Sequence, residues 1–456
     1  MPLLDRLRAA VSGSFARAVG VLVGGTALGH AVTALALPVL SRLYSPAEFG
    51  LLAAFSSIVS IIAVAACMRY EIAIALPEDD NEAARLTLVA VVASTVIGTM
   101  TAIPAVLAPA WLAAALGQPG LEGYLWMFPL CVFLAGTFAA LQYWNLRLRS
   151  YQTLAATRVV QSAAASGSQL ALGVASAGPA GLMAGPVFNS LAGTLMLVAN
   201  SMRRNARSPI PVGAKWGLWQ CALRHFRFPI FSAPEALANA ASIHLPVLMI
   251  AAMAGPGEAG HLMLAMVVVQ APMALLGNAV GQVYLSRAAE ELREGRLAAF
   301  TADVFGGLAR NAAGPLLFLG IVAPFAFVPV FGEAWSRGGV IVAWLTPWFV
   351  LNLLTAPVSL ALHIAGRQRL ALLLQFAGLG LRTAAVWGAE VFLRTGHTEA
   401  YALSGSVFYA LYLAAVLWVV GCTPAQAFGA LTQAVPRCAG WIGAGALVAS
   451  ALALAG

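Results

Sequence analysis

The sequence predicts an all-α polytopic membrane protein: two parallel-repeat six-helix bundles around a central cavity, about twelve core spans, and a C-terminal apolar run long enough for a thirteenth. Three observations predict it. Hydrophobic residues make up 61% of the chain and charged residues 9%, with a mean hydropathy of +0.86, too apolar for domains whose outer faces meet water. The apolar runs are each about 20 residues long, enough to cross a hydrocarbon core of roughly 30 Å. One segment also occurs twice. Leu37-Pro38-Val39-Leu40 returns as Leu245-Pro246-Val247-Leu248, and Ser45-Pro46-Ala47-Glu48-Phe49-Gly50 returns loosely as Gly255-Pro256-Gly257-Glu258-Ala259-Gly260, with an offset that drifts only from 208 to 210. Backbone groups in lipid must be satisfied within their own segment, so the spans are helices and no strands are expected.

Arg6, Arg8 and Arg17 precede an apolar stretch beginning near Val19, and Ala34-Leu35-Ala36 resembles a leader-cleavage site. That stretch outruns the roughly 7 to 15 residues of a leader's apolar region and contains half of the repeat, so it reads as a retained first span. Apolar runs between charged breaks place helices at 18–40, 47–67, 86–110, 123–144, 153–175 and 180–200, then at 228–253, 259–284, 304–330, 339–363, 369–392 and 399–420. Cys438 to Gly456 is a further run that spans or lies re-entrant. The organisation is an N-terminal bundle over 1–200, a basic linker over 201–227, a C-terminal bundle over 228–420, and an amphipathic segment with the extra helix over 421–456.

Basic residues orient the spans. With the N-terminus in the cytoplasm, the inner loops hold Arg69, Arg85, Arg147, Arg149, Arg203, Arg204, Arg207, Lys215, Arg224, Arg227, Arg287, Arg293, Arg296, Arg367 and Arg369. The outer loops hold only Arg42, Arg337 and Arg394. This asymmetry places the N-terminus inside and accounts for most of the net charge of +8, which in a soluble chain would have pointed to nucleic acid. Six spans separate the two copies of the repeat, so both enter the membrane in the same direction. Cys67, Cys131, Cys221, Cys422 and Cys438 are scattered without metal spacing and read as small buried residues. Glu78, Asp79, Asp80 and Glu82 read as a polar turn in the first inner loop.

A charge inside a span faces protein or water and marks a pathway. Arg158 lies early in the fifth span with Gln161, Ser162 and Gln169 at helical spacing; it faces a cavity or snorkels to the interface. Arg382 lies near the middle of the eleventh span, beyond easy reach of either headgroup layer, which favours a cavity. In the seventh span Ser232, Glu235, Asn239 and Ser242 recur at i+3, i+4 and i+3 as one polar stripe. Glu235 is the carboxylate clearly inside a core span. It is a candidate for binding a coupling proton or sodium ion, the alternative being a pair with a nearby arginine. Thr26, His30 and Thr33 form the equivalent stripe in the first span, with His30 open to either packing or a ligand role. Gln270, Asn278 and Gln282 continue the polar lining in the eighth span or tie helices together.

The first copy of the repeat continues as Ser41-Arg42-Leu43-Tyr44 and is followed by Arg69-Tyr70-Glu71 and Ala73-Ile74-Ala75-Leu76-Pro77. Together these resemble the opening of Wzx-type polysaccharide flippases, in which a P-x-L-(T/S)-R-L-Y-(S/T)-P-x-(D/E)-(F/Y)-G stretch precedes R-Y-E-x-A-I-x-L-P. Phe228-Pro229, Pro272, Gly277 to Tyr284, Phe331 to Trp335 and Pro357-Val358-Ser359 look like later landmarks of the same group. The resemblance runs to about residue 370 and identifies Pro38, Arg42, Arg69, Glu71 and Pro246 as motif positions, Arg42 and Arg69 serving either substrate or helix ends. It implies membership of the multidrug/oligosaccharidyl-lipid/polysaccharide exporter superfamily, whose fold is two six-helix bundles about a central cavity. It also implies a bacterial inner-membrane flippase that moves an undecaprenyl-diphosphate-linked oligosaccharide outward by alternating access, for O-antigen, capsule or exopolysaccharide. The implied partners are that anionic lipid-linked glycan, membrane lipid, and the polymerase and glycosyltransferases of the same assembly, with no nucleic acid. No organic cofactor or metal is implied.

Charge and chemistry agree with that implication. A lipid diphosphate needs cations for its phosphates and amides or hydroxyls for its sugars, which Arg158, Arg382 and the Gln/Asn/Ser positions supply. A cationic-drug antiporter of the same superfamily would want an acidic site, whereas one interior carboxylate stands here against two or more arginines. An enzyme acting on lipid-linked glycans would want a large outer loop or a paired-carboxylate motif, so the chain is not expected to be an enzyme.

Overall fold

The computed structural model describes residues 14–207 and 217–455. Arg6, Arg8 and Lys215 lie outside the described residues. Every regular element among the described residues is helical. In chain order they are α1 (Ser14–Leu43), α2 (Pro46–Ala66), the short α3 (Tyr70–Ala73), α4 (Asp80–Leu107), α5 (Pro109–Ala115), α6 (Met127–Arg147), α7 (Tyr151–Val174), α8 (Pro179–Arg207) and α9 (Leu218–Arg224). A π turn, Phe228–Ser232, leads into α10 (Ala233–Met253), followed by α11 (Pro256–Arg293), α12 (Leu297–Asn311), α13 (Ala313–Phe331), α14 (Ser336–Thr355) and α15 (Leu360–Ile364). The chain ends with α16 (Gln368–Gly388), α17 (His397–Val419), α18 (Pro424–Thr432) and α19 (Val435–Ala455).

Eleven helical stretches among the described residues are long and apolar enough to cross a membrane, α19 included, so this is a multi-pass membrane protein. Helices α7 and α11 stand where the sequence predicts the fifth and eighth spans. Helix α7 falls short of the apolar criterion because its length is shared among Arg158, Gln161, Gln169, serines and glycines.

The described residues group into two compact units, Ser14–Gly260 and His261–Gly456. The linker at 201–227 therefore divides the repeat but not the packing, since α10 lies along α2 and joins the first unit. Helix α1 is held to α7 by a small-residue ridge. A Cβ on Gly25 would come within 2.7 Å of the Ala155 Cα, and one on Gly29 within 2.9 Å of the Ser162 Oγ and 3.1 Å of the Arg158 carbonyl oxygen. Gly25-x-x-x-Gly29 thus lets two backbones approach to dispersion distance, the force that associates helices where lipid is as apolar as leucine. Helix α2 opens with a capping box: Ser45 and Glu48 each accept the other's backbone N–H, at 3.3 and 2.8 Å.

The loop after α2 is folded tightly. Met68 and Arg69 both adopt left-handed backbone angles, φ +51° and +61°, which turn the chain back under the bundle. Cys67, Tyr70, Ile74, Leu86 and Trp144 share a buried cluster with Cys221 of α9. Arg147 closes the turn, donating to the carbonyls of Ile74, Pro77 and Glu78 and to Asp80. The acidic cluster is more than a polar turn: Asp80 pairs with Arg147 at 2.8 Å, Glu82 meets Arg224 at 3.3 Å and His225 at 3.1 Å, and Asp79 caps α4. The Glu82 pairs dock α9 onto α4, and the Asp80 pair ties α6 to it. Sequence spacing could not show them, because the basic partners lie 67 to 143 residues away.

The second unit repeats the glycine logic. Gly320 makes room for Thr346 and Gly339 for the Ala323 backbone where α13 crosses α14, and Gly405 of α17 receives the Trp348 indole of α14. Helix α19 packs on α13, with the Trp441 ring over Gly314 and edge-on to Phe318 at 5.8 Å. The amphipathic segment before it is α18, capped by Thr423 and Gln426.

Candidate functional site

In the first unit, polar side chains of α6, α7 and α8 form a ladder of interhelical bonds. At one end Asn200 donates to Asn145 at 2.6 Å, Asn145 donates to Ser201 at 3.1 Å, and Thr153 donates to Asn200 at 3.3 Å. One turn further along, the Arg158 guanidinium donates to the Gln142 side-chain amide oxygen at 3.3 Å and lies 5.7 Å from the Phe138 ring centre. Gln161 then donates to Asn189 at 3.3 Å, and Gln169 donates to the Leu182 carbonyl at 3.0 Å while its amide occupies the notch left by Gly185.

The predicted residues of this helix thus divide. Gln161, buried, and Gln169 tie α7 to α8, spending their amides on the protein itself. Arg158 is half-buried and holds one long neutral hydrogen bond and one ring face, with no carboxylate partner among the described residues. A guanidinium has five donors, so most of its hydrogen-bonding capacity is left for an incoming acceptor. Gln142, Asn145, Asn189 and Asn200 escaped the sequence reading. Their only signal was an amide inside an apolar run, which by itself does not say which neighbouring helix it meets.

In the second unit Arg382 of α16 is buried and enclosed by rings. Its guanidinium carbon stands 4.7 Å from the Phe408 centroid, 5.1 Å from Trp348 and 5.6 Å from Tyr409, and it hydrogen-bonds the Tyr409 hydroxyl oxygen. Tyr401 meets Trp348 edge-on at 4.8 Å and completes the box. Glycine notches seat the rings: a Cβ on Gly378 would come within 2.7 Å of Phe408. The electron-rich faces replace water around the charge. The sequence showed Arg382 but not its box, whose members come from two other helices, α14 and α17.

On α10 the predicted stripe is split by burial. Glu235 and Asn239 are exposed, Ser232 ends the π turn, and Ser242 is buried with its hydroxyl bonded to the Asn239 carbonyl at 2.7 Å. Glu235 makes no ion pair among the described residues, and the burial invoked for it from sequence is absent in this structure. His30 is exposed on α1. Asn278 and Gln282 lie on α11 but outside the residues whose side chains are described.

The motif positions lie at two helix prolines, one helix end and one ion pair. Pro38 and Pro246 sit inside α1 and α10 as equivalent helix prolines, and Arg42 occupies the last turn of α1, where a cation meets the negative end of the helix dipole. Arg69 pairs with Glu71 at 3.2 Å. Burial lifts the Glu71 carboxyl above the usual carboxylate range, while its own backbone hydrogen bond and Arg69 pull it part of the way back.

A family model described as "Polysaccharide biosynthesis protein" matches residues 39–338. No curated protein matches at a significant level. Among solved structures, the lipid II flippase MurJ in its inward closed conformation superposes with a TM-score of 0.69 at 11% identity, over 94% of this chain and 95% of that one. An inward-facing multidrug resistance transporter of the MATE family, in the MOP superfamily, gives 0.60 at 14% identity over 88% and 94%. A eukaryotic MATE transporter gives 0.58 at 14% identity over 94% and 99%. The fold is that of these two-repeat transporters.

Proposed function

Since the chain belongs to the polysaccharide biosynthesis protein family, we propose that it is a flippase moving an undecaprenyl-diphosphate-linked oligosaccharide from the cytoplasmic to the outer leaflet of a bacterial inner membrane, N-terminus inside. The observation that carries this reading is Arg158: a half-buried cation whose partners in the protein are one amide and one ring, beside further amides of the same layer. A phosphate bound there would meet a charge that is partly desolvated but not neutralised. The isoprenoid tail remains in lipid. Movement by positioning alone requires no bond to break, which is why we read the chain as a transporter and not an enzyme.

We assign Glu235, exposed on α10, as the carboxylate that binds a coupling proton or sodium ion, and expect Glu235→Gln to remove the dependence of transport on an ion gradient. Unchanged gradient dependence would cancel that assignment. The reading as a whole is tested in proteoliposomes by leaflet-resolved accessibility of a lipid-diphosphate oligosaccharide, with empty vesicles as reference. Protein-dependent appearance of the glycan on the opposite face is expected. Efflux of cationic dyes without glycan movement would instead make the chain a drug antiporter, a function the shared fold also houses.

A further inference from the structure

Where α12 meets the start of α19, two arginines are held by amides alone. Arg437 donates to the Asn311 side-chain oxygen at 2.8 Å, and Arg310 donates to the Gln433 side-chain oxygen. Arg310 and Asn311 are neighbours at the end of α12, and Gln433 precedes Arg437 by four residues, so the two bonds join the same two segments. Asn311 is itself fixed, its amide nitrogen donating to the Gly307 carbonyl at 2.8 Å. Each guanidinium thus spends one of its five donors on a neutral oxygen. Neither has a carboxylate partner among the described residues, and Asp303, exposed about two turns back on α12, makes no ion pair among them. Arg437 also stands in the first turn of α19, at the positive end of the helix dipole, with no acidic residue there to offset it.

The pair lies at the boundary of the membrane region. Helix α13 starts two residues after Asn311, and its 19 residues rise about 28 Å, close to the thickness of the hydrocarbon core. Helix α19, of 21 residues, runs beside it in the same direction, Trp441 lying over Gly314 and Gly445 facing Ile321. Arg310 and Arg437 are therefore level with the start of both spans, at headgroup depth. Beside them the chain turns an apolar face outward. Phe428 and Leu431 of α18 and Val435, which opens α19, are exposed, whereas Ala434 is buried and Ala430 meets the space left by Gly306 of α12. Helix α18 carries no charged residue.

We propose that Arg310 and Arg437 bind the headgroup phosphate of an anionic phospholipid of the bilayer, whose acyl chains lie along Phe428, Leu431 and Val435. Two guanidiniums with open donors suit a phosphate that no choline shields, and the exposed apolar face suits its tail. On the orientation that the basic loops imply, this is the cytoplasmic leaflet, whose surface is negatively charged. Gln433 and Arg437 lie beyond residues 39–338, so half of the site stands outside the family match. The inference rests on the membrane-spanning reading and not on the identity of the cargo.

Native mass spectrometry of the detergent-solubilised full chain, titrated with dioleoylphosphatidylglycerol or dioleoylphosphatidylcholine, tests it. The first phosphatidylglycerol should bind at least about tenfold more tightly than phosphatidylcholine. Arg310→Gln/Arg437→Gln should weaken phosphatidylglycerol binding by at least about tenfold, at roughly fivefold per arginine. Arg149→Gln/Arg203→Gln, the same charge change on exposed arginines elsewhere, should leave it within about twofold. Should the first double variant fail to insert, Arg437→Gln alone decides: the residue is exposed, gives up one hydrogen bond, and its loss should weaken binding about fivefold. Unchanged affinity in the Arg310 and Arg437 variants, or an equal loss in the control pair, would overturn the proposal. So would displacement of the lipid by millimolar inorganic phosphate, which would make this a site for free anions. Preference for undecaprenyl diphosphate over phosphatidylglycerol would overturn it as well, by making the pair a cargo subsite.

Discussion

Arg158 and Arg382 are both charges placed within helices of the membrane region, and their surroundings are opposite. Around Arg158 the first unit offers a single amide, one ring face and partial exposure; around Arg382 the second unit offers three ring faces, a tyrosine oxygen and burial. A cation whose solvation has been replaced mainly by ring faces acts as part of the core. A cation whose solvation has been only partly replaced is poised for a ligand. On that contrast rests our proposal of a binding role for Arg158 and a structural one for Arg382, although in sequence the two look alike and Arg382, deeper in its span, looks the more functional.

Arg382→Ala carries the largest expected effect. It removes three cation–ring contacts worth roughly 1–2 kcal/mol each when desolvated, and leaves four aromatic side chains around a void. The yield of inserted, monodisperse protein and its thermal unfolding midpoint should both fall. Arg382→Lys should recover only part of the loss, since a compact ammonium cannot lie flat against several rings. A stable Arg382→Ala protein that has lost transport alone would break the comparison and return Arg382 to the substrate route.

Arg158→Gln comes next and should split the other way. Transport of the lipid-linked glycan should fall by at least about tenfold, while the unfolding midpoint moves little, because only one neutral-acceptor hydrogen bond of about 1 kcal/mol and one distant ring contact are lost. The neighbouring Gln161→Ala sharpens the point at smaller scale. It breaks the bond to Asn189, an interhelical contact expected to be worth about 0.6 kcal/mol, and should leave transport in place. Equal transport losses in both variants would mean that the whole layer, and not Arg158, handles the cargo.

The helices were legible in the sequence because burial in lipid imposes length and hydropathy on each of them. The span predicted at 228–253 coincides with the π turn plus α10, and the C-terminal run proved to be a full helix on α13. What the sequence did not disclose was pairing. Gln161 and Gln169 have the spacing of a cavity stripe, yet each meets a partner on α8, and nothing local to α7 distinguishes a face toward a cavity from a face toward another helix. The duplicated Pro-x-Glu-x-Gly turns showed a repeat; only coordinates reveal that Gly50 lies against the Pro256 carbonyl and Gly260 against that of Pro46.

Arg69 extends the comparison to a third solution, an arginine neutralised by a carboxylate. Glu71 lies 3.2 Å from it and is buried, and burial raises the carboxyl pKa against the smaller opposing pull of its backbone hydrogen bond and Arg69. The folded protein therefore holds this proton to higher pH than the unfolded chain does. The group's contribution to stability is fully present below the ordinary value of 4.5 and is lost as pH rises through the raised folded value. Wild type should accordingly lose thermal stability relative to Glu71→Gln as pH climbs above 4.5, the glutamine acting as a permanently protonated stand-in. Were the pair instead a net stabiliser that held Glu71 ionised, the wild type would gain on the glutamine variant as pH rose toward 4.5 and hold level above it. The sign of that slope decides whether the arginine of this motif is satisfied as fully as Arg382 or left, like Arg158, with capacity to spare.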